Sequence, residues 1–159
     1  MTRLAADFHL HIYKVYPLET LLRALFENLN RIAAPRNGEA PPVKAAFLAE
    51  RRRYRIFEAW RQDFFRVRGF SVKPCGPLTL ELRDPTGDRL LLFAGRQMAT
   101  AEGLELLALI TDRELPDARP FSEAASLILE TGGIPVIPWA PGKWSGRRGA
   151  IHFPGADRK

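Results

Sequence analysis

The sequence predicts an α/β fold, a partial barrel-like parallel sheet with an inserted antiparallel β-hairpin. Strand-like and helix-like segments alternate along the chain, as is typical of a parallel sheet with helical crossovers. The turn signal Asp84-Pro85-Thr86-Gly87-Asp88 separates two further strand-like runs and indicates the hairpin. The 159 residues fall short of the roughly 250 of a complete (β/α)₈ barrel. We therefore expect one domain over residues 1–159 that forms only part of a barrel.

The first strand and the first helix have clear periodic patterns. Residues Leu4–Ile12 alternate between apolar and polar, with the period of two that a half-buried strand shows. Pro17 suits the first turn of a helix, and apolar residues then recur at helical spacing as far as Ile32. The Pro- and Gly-rich segment 35–42 is predicted to be a loop.

A second strand and a basic helix come next. Val43–Ala49 is a short apolar run that predicts a buried strand. Arg52–Arg68 is predicted to be a helix that ends at Gly69. Its buried stripe would consist of the apolar residues Ile56, Phe57, Trp60, Phe64 and Val67.

The second half of the chain predicts a hairpin insertion at about 70–95, further strands, one helix and an irregular basic tail over 140–159. Gly132-Gly133 is expected to end the helix. The predicted elements are strands at Phe70–Lys73, Leu78–Arg83, Arg89–Ala94, Leu104–Ile110 and Ile134–Trp139, and a helix at Phe121–Thr131.

Composition excludes several classes of protein. Hydrophobic residues make up 46% and charged residues 26%, an ordinary mixture for a globular domain. No apolar run approaches the roughly 20 residues of a membrane span, and no secretion signal is apparent, so we expect a cytoplasmic protein without membrane contact. Cys75 is the only cysteine, which excludes an internal disulfide and a thiolate zinc cluster. The net charge of +6 is compatible with an anionic partner.

The sharpest motif is Asp7-Phe8-His9-Leu10-His11. Strand periodicity puts Asp7, His9 and His11 on one face, and imidazole and carboxylate groups suit zinc, manganese or iron. The alternative is a solvated polar face of an edge strand. Strands of a parallel sheet are normally covered on both faces, so a polar face is unusual there. We therefore favour a metal or active-site role for this face.

Glu50 and the run Arg51–Arg55 follow the second strand. Glu50 stands at the end of that strand and is a further candidate ligand; the alternative is an ion pair with one of the adjacent arginines. The arginines could contact a phosphate or a nucleic-acid backbone. We interpret them instead as a solvated helix face.

The Asp-x-His-x-His strand, the βα rhythm and the late strand Gly132-Gly133-Ile134-Pro135-Val136 resemble the polymerase-and-histidinol-phosphatase (PHP) family. Amidohydrolase barrels and TatD-type nucleases share a similar opening motif, but Gly95-Arg96-Gln97-Met98 and the apolar run Leu104–Leu109 also look like PHP strands. The resemblance implies a distorted (β/α)₇ barrel that binds two or three metals and hydrolyses phosphoesters.

The sequence departs from the PHP pattern at three places. Glu50-Arg51 stands where the family has Asp-His, and Arg51 cannot bind a metal. Gln97 replaces a ligating glutamate, and Trp139 replaces a histidine. The resemblance therefore implies a divergent or truncated member in which only the first metal motif is intact.

A Gly- and Arg-rich segment, Trp139–Gly149, follows the last predicted strand. Ligands bind at the carboxyl ends of strands in such sheets, and arginine offers paired donors to phosphate. The alternative is a solvated basic loop. The segment predicts a phosphate or substrate site made by Lys143, Arg147 and Arg148 with the aromatic rings of Trp139 and Trp144.

The function expected from these features is hydrolysis of a phosphate ester by a PHP-like metal-dependent enzyme. Asp7, His9, His11 and Glu50 would hold a divalent transition metal (zinc, manganese or iron) and carry the chemistry. The substrate would be a phosphorylated small molecule or a nucleotide. The sequence leaves open whether the chain is an enzyme. The alternatives are a degenerate module that binds a nucleotide or nucleic acid, and a subunit that docks on a partner chain or a second copy through an open sheet edge.

Overall fold

A computed structural model describes residues 3–13, 15–34, 40–64 and 66–138. Strands predominate in this part of the chain, and its helices are short except for the first. The elements are, in order, β1 (Leu4–Leu10), α1 (Leu18–Ile32), β2 (Val43–Leu48), α2 (Ile56–Arg61), β3 (Ser71–Gly76), β4 (Thr79–Arg83), β5 (Arg89–Phe93), β6 (Gly95–Ala99), β7 (Glu105–Leu109), α3 (Phe121–Glu130) and β8 (Ile134–Val136).

The strands form two sheets. The larger has the order β1-β2-β5-β4-β3, in which β2 is parallel to both β1 and β5 while the other two pairs are antiparallel. The smaller has the order β6-β7-β8 and is antiparallel throughout. The antiparallel pairing predicted for Leu78–Arg83 with Arg89–Ala94 is confirmed, as β4 and β5. These strands belong to the main sheet and are not an insertion into a barrel.

The predicted partial (β/α)₇-like barrel is therefore wrong: the described strands form one mixed and one antiparallel sheet, and they do not close into a barrel. The reason lies in the connections. A parallel neighbour needs a crossover of a dozen or more residues, whereas short links produce antiparallel neighbours. The links from β3 to β4, from β4 to β5 and from β6 to β7 are all short and join antiparallel strands. The connection from β1 to β2 through α1 reaches a parallel neighbour, whereas β8, which follows α3, is antiparallel to β7.

The two sheets pack in layers with helices outside. One face of the larger sheet packs on α1 and α2, and its other face packs on one side of β7. The opposite side of β7, with β6, packs on α3. The alternation of side chains along each strand supplies these separate faces, and the largest fully buried side chains include Leu22, Leu48, Phe57, Leu80, Leu92, Leu106 and Ile128.

Helix α2 is much shorter than the predicted helix Arg52–Arg68. It ends before Asp63, whose φ of 54° lies in the left-handed region, and the amide of Phe64 reaches back to the carbonyl of Ala59. This is the geometry of a helix C-terminus closed by a left-handed residue. The predicted stop at Gly69 is therefore wrong, and Phe64 is exposed rather than buried.

The segment Ala94–Gln97 joins the two sheets. The amide of Glu50 donates to the Gly95 carbonyl (3.1 Å), and the amide of Gln97 donates to the Glu50 carbonyl (2.9 Å). From the smaller sheet, the Ile110 amide donates to the Ala94 carbonyl (2.9 Å). A Cβ on Gly95 would lie 2.0 Å from the Leu48 carbonyl oxygen, so only glycine permits this approach of the backbones.

Candidate functional site

The site begins at the carboxyl end of β1. The register of β1 with β2 shifts between Asp7 and Leu10, so the strand is irregular where the motif lies. Within this irregularity the backbone amide of His9 donates to Asp7 Oδ1 (2.9 Å). One oxygen of the Asp7 carboxylate therefore supports the strand itself.

His9 and His11 face each other. Their Nε2 atoms lie 3.0 Å apart, and their ring centroids lie 4.8 Å apart. Because a proton between two facing nitrogens belongs to only one of them, the other presents its lone pair. The motif thus brings two imidazole nitrogens to one point.

The electrostatic environment favours a neutral His11. Burial lowers its pKa below 6.5, and the charges of His9 and Arg51 lower it further. A hydrogen bond with the Ala49 backbone and the charge of Glu105 oppose this shift without reversing it. Metal ions bind the neutral form of imidazole, so His11 is in the appropriate state at neutral pH.

Gln97 on β6 completes the polar contacts of the pair. Its Oε1 lies 3.4 Å from His9 Nε2, and the residue is buried. The neutral amide supplies an oxygen next to the imidazoles without adding a negative charge. Gln97 therefore connects the end of β1 with the smaller sheet.

Glu50 is engaged elsewhere. Its Oε1 accepts the Phe57 amide at 3.0 Å, and its Oε2 lies 3.2 Å from Arg96 Nη1. Burial raises its pKa, against the opposing effects of the Phe57 hydrogen bond and the Arg96 charge. Both oxygens thus have partners in the interior, and the ion partner is Arg96 rather than one of the adjacent arginines.

The residues fit a divalent metal in part. Tetrahedral zinc with nitrogen ligands at about 2.0 Å separates two ligand atoms by about 3.3 Å, close to the spacing of the two Nε2 atoms. Gln97 offers a weak oxygen ligand beside them. Within the described ranges, however, no three His, Cys, Asp or Glu side chains come together as a set that could hold a metal. His9 and His11 fit the metal, while the full set with Asp7 and Glu50 stays a prediction.

A cavity of about 350 Å³ adjoins this cluster. Gln97 belongs to its wall, and so do the three consecutive arginines Arg51–Arg53. The sequence interpretation of these arginines as a solvated helix face missed this pocket. In the structure these arginines form a turn before the start of α2. Their place directly after a predicted strand was the sequence signal that could have indicated this.

An aromatic chain extends from the histidine pair to the same pocket. Tyr13 stacks on His11 with a centroid distance of 5.0 Å, and Tyr54 meets Tyr13 edge-on at 5.7 Å. Tyr54 also lines the cavity. These contacts put the imidazoles and the arginine turn in one neighbourhood.

The predicted phosphate site made by Lys143, Arg147, Arg148, Trp139 and Trp144 lies outside the described residues. Comparisons with protein families, with curated proteins and with solved structures find no match for this chain. The resemblance to the PHP family stays a prediction. In the described part of the chain, none of the helices has the length and apolar character needed to cross a membrane.

Proposed function

We propose that this chain is a metal-dependent hydrolase of phosphate esters, with the metal held by His9 and His11. The observation that carries the proposal is the 3.0 Å separation of the two Nε2 atoms beside a pocket lined by arginines. A bound divalent transition metal lowers the pKa of its water ligand and polarises a phosphoryl oxygen.

The residues around the pair support this role by fixing its geometry. Tyr13 covers the His11 ring, and Asp7 holds the backbone of His9 through its amide. Partners of this kind orient metal ligands and so strengthen metal binding. The Gln97 side-chain oxygen lies 3.4 Å from His9 Nε2, the atom that would bind the metal, and so belongs with the ligands rather than with these supports.

The first test measures metal content. Wild type and the double variant His9→Ala/His11→Ala are loaded with zinc, manganese or iron, freed of excess metal and analysed by mass spectrometry. We expect near-stoichiometric metal in the wild type and its loss in the double variant. His152→Ala, which removes the third histidine of the chain, is the matched control and should keep its metal. Equal metal content in wild type and double variant would refute the proposal.

A second reading has one specific observation in its favour. The Glu50 carboxylate is held by Phe57 and Arg96, and Gln97 is neutral, so the described residues supply few charged ligands. This favours a module that binds a nucleotide or nucleic acid without hydrolysing it. Metal-loaded protein that binds an oligonucleotide with a steep salt dependence, yet cleaves no phosphoester, would select this alternative.

A further inference from the structure

The pocket beside the histidine pair has a rigid, positively charged rim. Arg51–Arg53 form a turn that is closed by a hydrogen bond from the Tyr54 amide to the Arg51 carbonyl (2.8 Å). Among the described residues that line the cavity there is no cysteine or histidine, and their polar groups are guanidinium, phenol, amide and carboxylate.

The turn is held at both ends by buried structure. At its start, the Glu50 amide and carbonyl are paired with the backbone of β6. At its end, Arg96 Nη1 donates to the Tyr54 carbonyl at 2.9 Å, while the same guanidinium contacts Glu50 Oε2 at 3.2 Å. A binding loop that is already ordered loses less entropy when a ligand arrives.

The three guanidinium groups differ in their partners. Arg52 Nε is engaged with Glu114 Oε1 at 2.8 Å, whereas Arg51 Nη2 and Glu105 Oε1 are 3.7 Å apart. Arg53 makes no hydrogen bond or ion pair with any other residue in the described part of the chain. The guanidinium donors of Arg53 therefore have no partner among the described residues, and those of Arg51 have only a distant one. A planar guanidinium matches a phosphate with two parallel hydrogen bonds.

We propose that this pocket binds the phosphate group of a small, hydroxyl-bearing phosphate monoester through Arg53 and Arg51. This proposal names the substrate class of the proposed hydrolase. Phosphate binding in the pocket does not require the metal, and only hydrolysis of the bound ester rests on the proposed function.

The rest of the wall and the pocket size favour this class over a polyanion. Glu105 and Asp117 also line the cavity, and their carboxylates would repel a second phosphate but can accept hydrogen bonds from hydroxyl groups. A cavity of about 350 Å³ is at the small end of the range for ligand sites. A small monoester satisfies both conditions, whereas a nucleic-acid strand satisfies neither.

The test measures binding by titration calorimetry at low salt, with inorganic phosphate and with ribose 5-phosphate as probes. Arg53→Gln removes the charged guanidinium from an exposed side chain and leaves a shorter, neutral amide in its place. We expect it to weaken binding of both probes by about tenfold or more, the usual effect of losing a charged hydrogen bond. Arg68→Gln is the matched control, since Arg68 is exposed and lies outside the pocket. It should bind both probes as the wild type does.

The outcomes separate this proposal from the proposed function. Equal affinities in wild type and Arg53→Gln, or absence of phosphate binding to the wild type at millimolar concentration, would overturn the pocket proposal. Metal content is measured on the same samples. Loss of probe binding in Arg53→Gln with no metal in any sample would support the pocket and remove the hydrolase. Full metal content and hydrolysis, with probe binding unaltered in Arg53→Gln, would support the hydrolase and overturn the pocket proposal.

Discussion

The carboxylate of Glu50 and the guanidinium of Arg96 form a buried ion pair, with Oε2 and Nη1 3.2 Å apart and both side chains 6% exposed. The two residues are also paired through their backbones, across the junction between the two sheets. Arg96 makes further hydrogen bonds to the carbonyls of Asp112 and Tyr54. One guanidinium therefore fixes the strand junction, the arginine turn and the loop after β7.

Removing Arg96 should destabilise the fold strongly. Arg96→Met leaves the Glu50 carboxylate buried without its partner, and such losses cost about 3–5 kcal/mol. Urea unfolding at neutral pH measures the change. Arg23→Met is the control, since it breaks an exposed helical pair with Glu19 and should cost less than about 1 kcal/mol. Equal costs for the two variants would contradict the importance of the buried pair.

The same variant should show a characteristic pH dependence. Burial raises the pKa of Glu50 above 4.5, so acid protonates and neutralises this carboxyl more readily in the folded protein. The penalty of Arg96→Met relative to wild type should therefore shrink as the pH falls towards 4.5. Urea unfolding of both proteins at several pH values between 7 and about 4.5 measures this difference. A constant difference would show that Glu50 is not the charge left unpaired.

His11 should make a separate contribution to stability that depends on pH. Its pKa is below 6.5 in the folded protein, so below that pH the unfolded chain takes up a proton first. The contribution is complete above pH 6.5 and is lost as the pH falls through the folded pKa. In His11→Gln the free energy of unfolding should fall less steeply with decreasing pH than in the wild type. The two slopes should differ by less than about 1.4 kcal/mol per pH unit, the limit for one proton. Parallel pH profiles for wild type and variant would be inconsistent with this assignment.

Gly95 should not tolerate a side chain. The Cβ of Gly95→Ala would lie 2.0 Å from the Leu48 carbonyl oxygen, and the backbone must move to relieve that contact. We expect a loss of at least about 2–3 kcal/mol by urea unfolding. Gly76→Ala is the control, because its nearest contact, with Thr79, is at an ordinary 3.5 Å. A cost similar to that of the control would disprove the close approach.

Gln97→Glu should strengthen metal binding. The carboxylate would stand near His9 Nε2, where the amide oxygen is 3.4 Å away, and would add a charged ligand to the two imidazoles. We expect tighter zinc binding than in the wild type, measured by competition with a chromogenic chelator. The metal-free variant should melt at a lower temperature than wild type, because it buries an unpaired charge. Gln62→Glu, at an exposed position, is the control for the zinc measurement and should leave the zinc affinity unchanged. Unchanged zinc affinity in Gln97→Glu would argue against a metal at this point.

The sequence predicted the histidine pair better than the sheet around it. The period of two along β1 is a local property, so it correctly put His9 and His11 on one side. Strand direction is decided by the connections, and apolar runs such as Glu105–Leu109 look alike in parallel and antiparallel sheets. The partner of Glu50 was also beyond local reasoning, because Arg96 lies 46 positions further along the chain.

The place of the arginines after a strand was the one sequence signal for their pocket, and the rest of the pocket could not be predicted for a similar reason. A run of basic residues with an apolar stripe after it fits a longer helix, and the left-handed conformation of Asp63 that shortens α2 has no glycine to signal it. The cavity itself also needs Gly103 and Asp117, which only the tertiary fold brings to the same wall.

The continuous passage from β5 through Ala94 into β6 has a consequence for folding. The two sheets share one uninterrupted stretch of chain, and hydrogen bonds from Glu50 and Ile110 reach that stretch from opposite sides. Neither sheet can open without breaking bonds that also hold the other, so the two should melt together in one cooperative transition. The amides of Glu50, Gln97 and Ile110 should therefore exchange with solvent deuterium only through global unfolding.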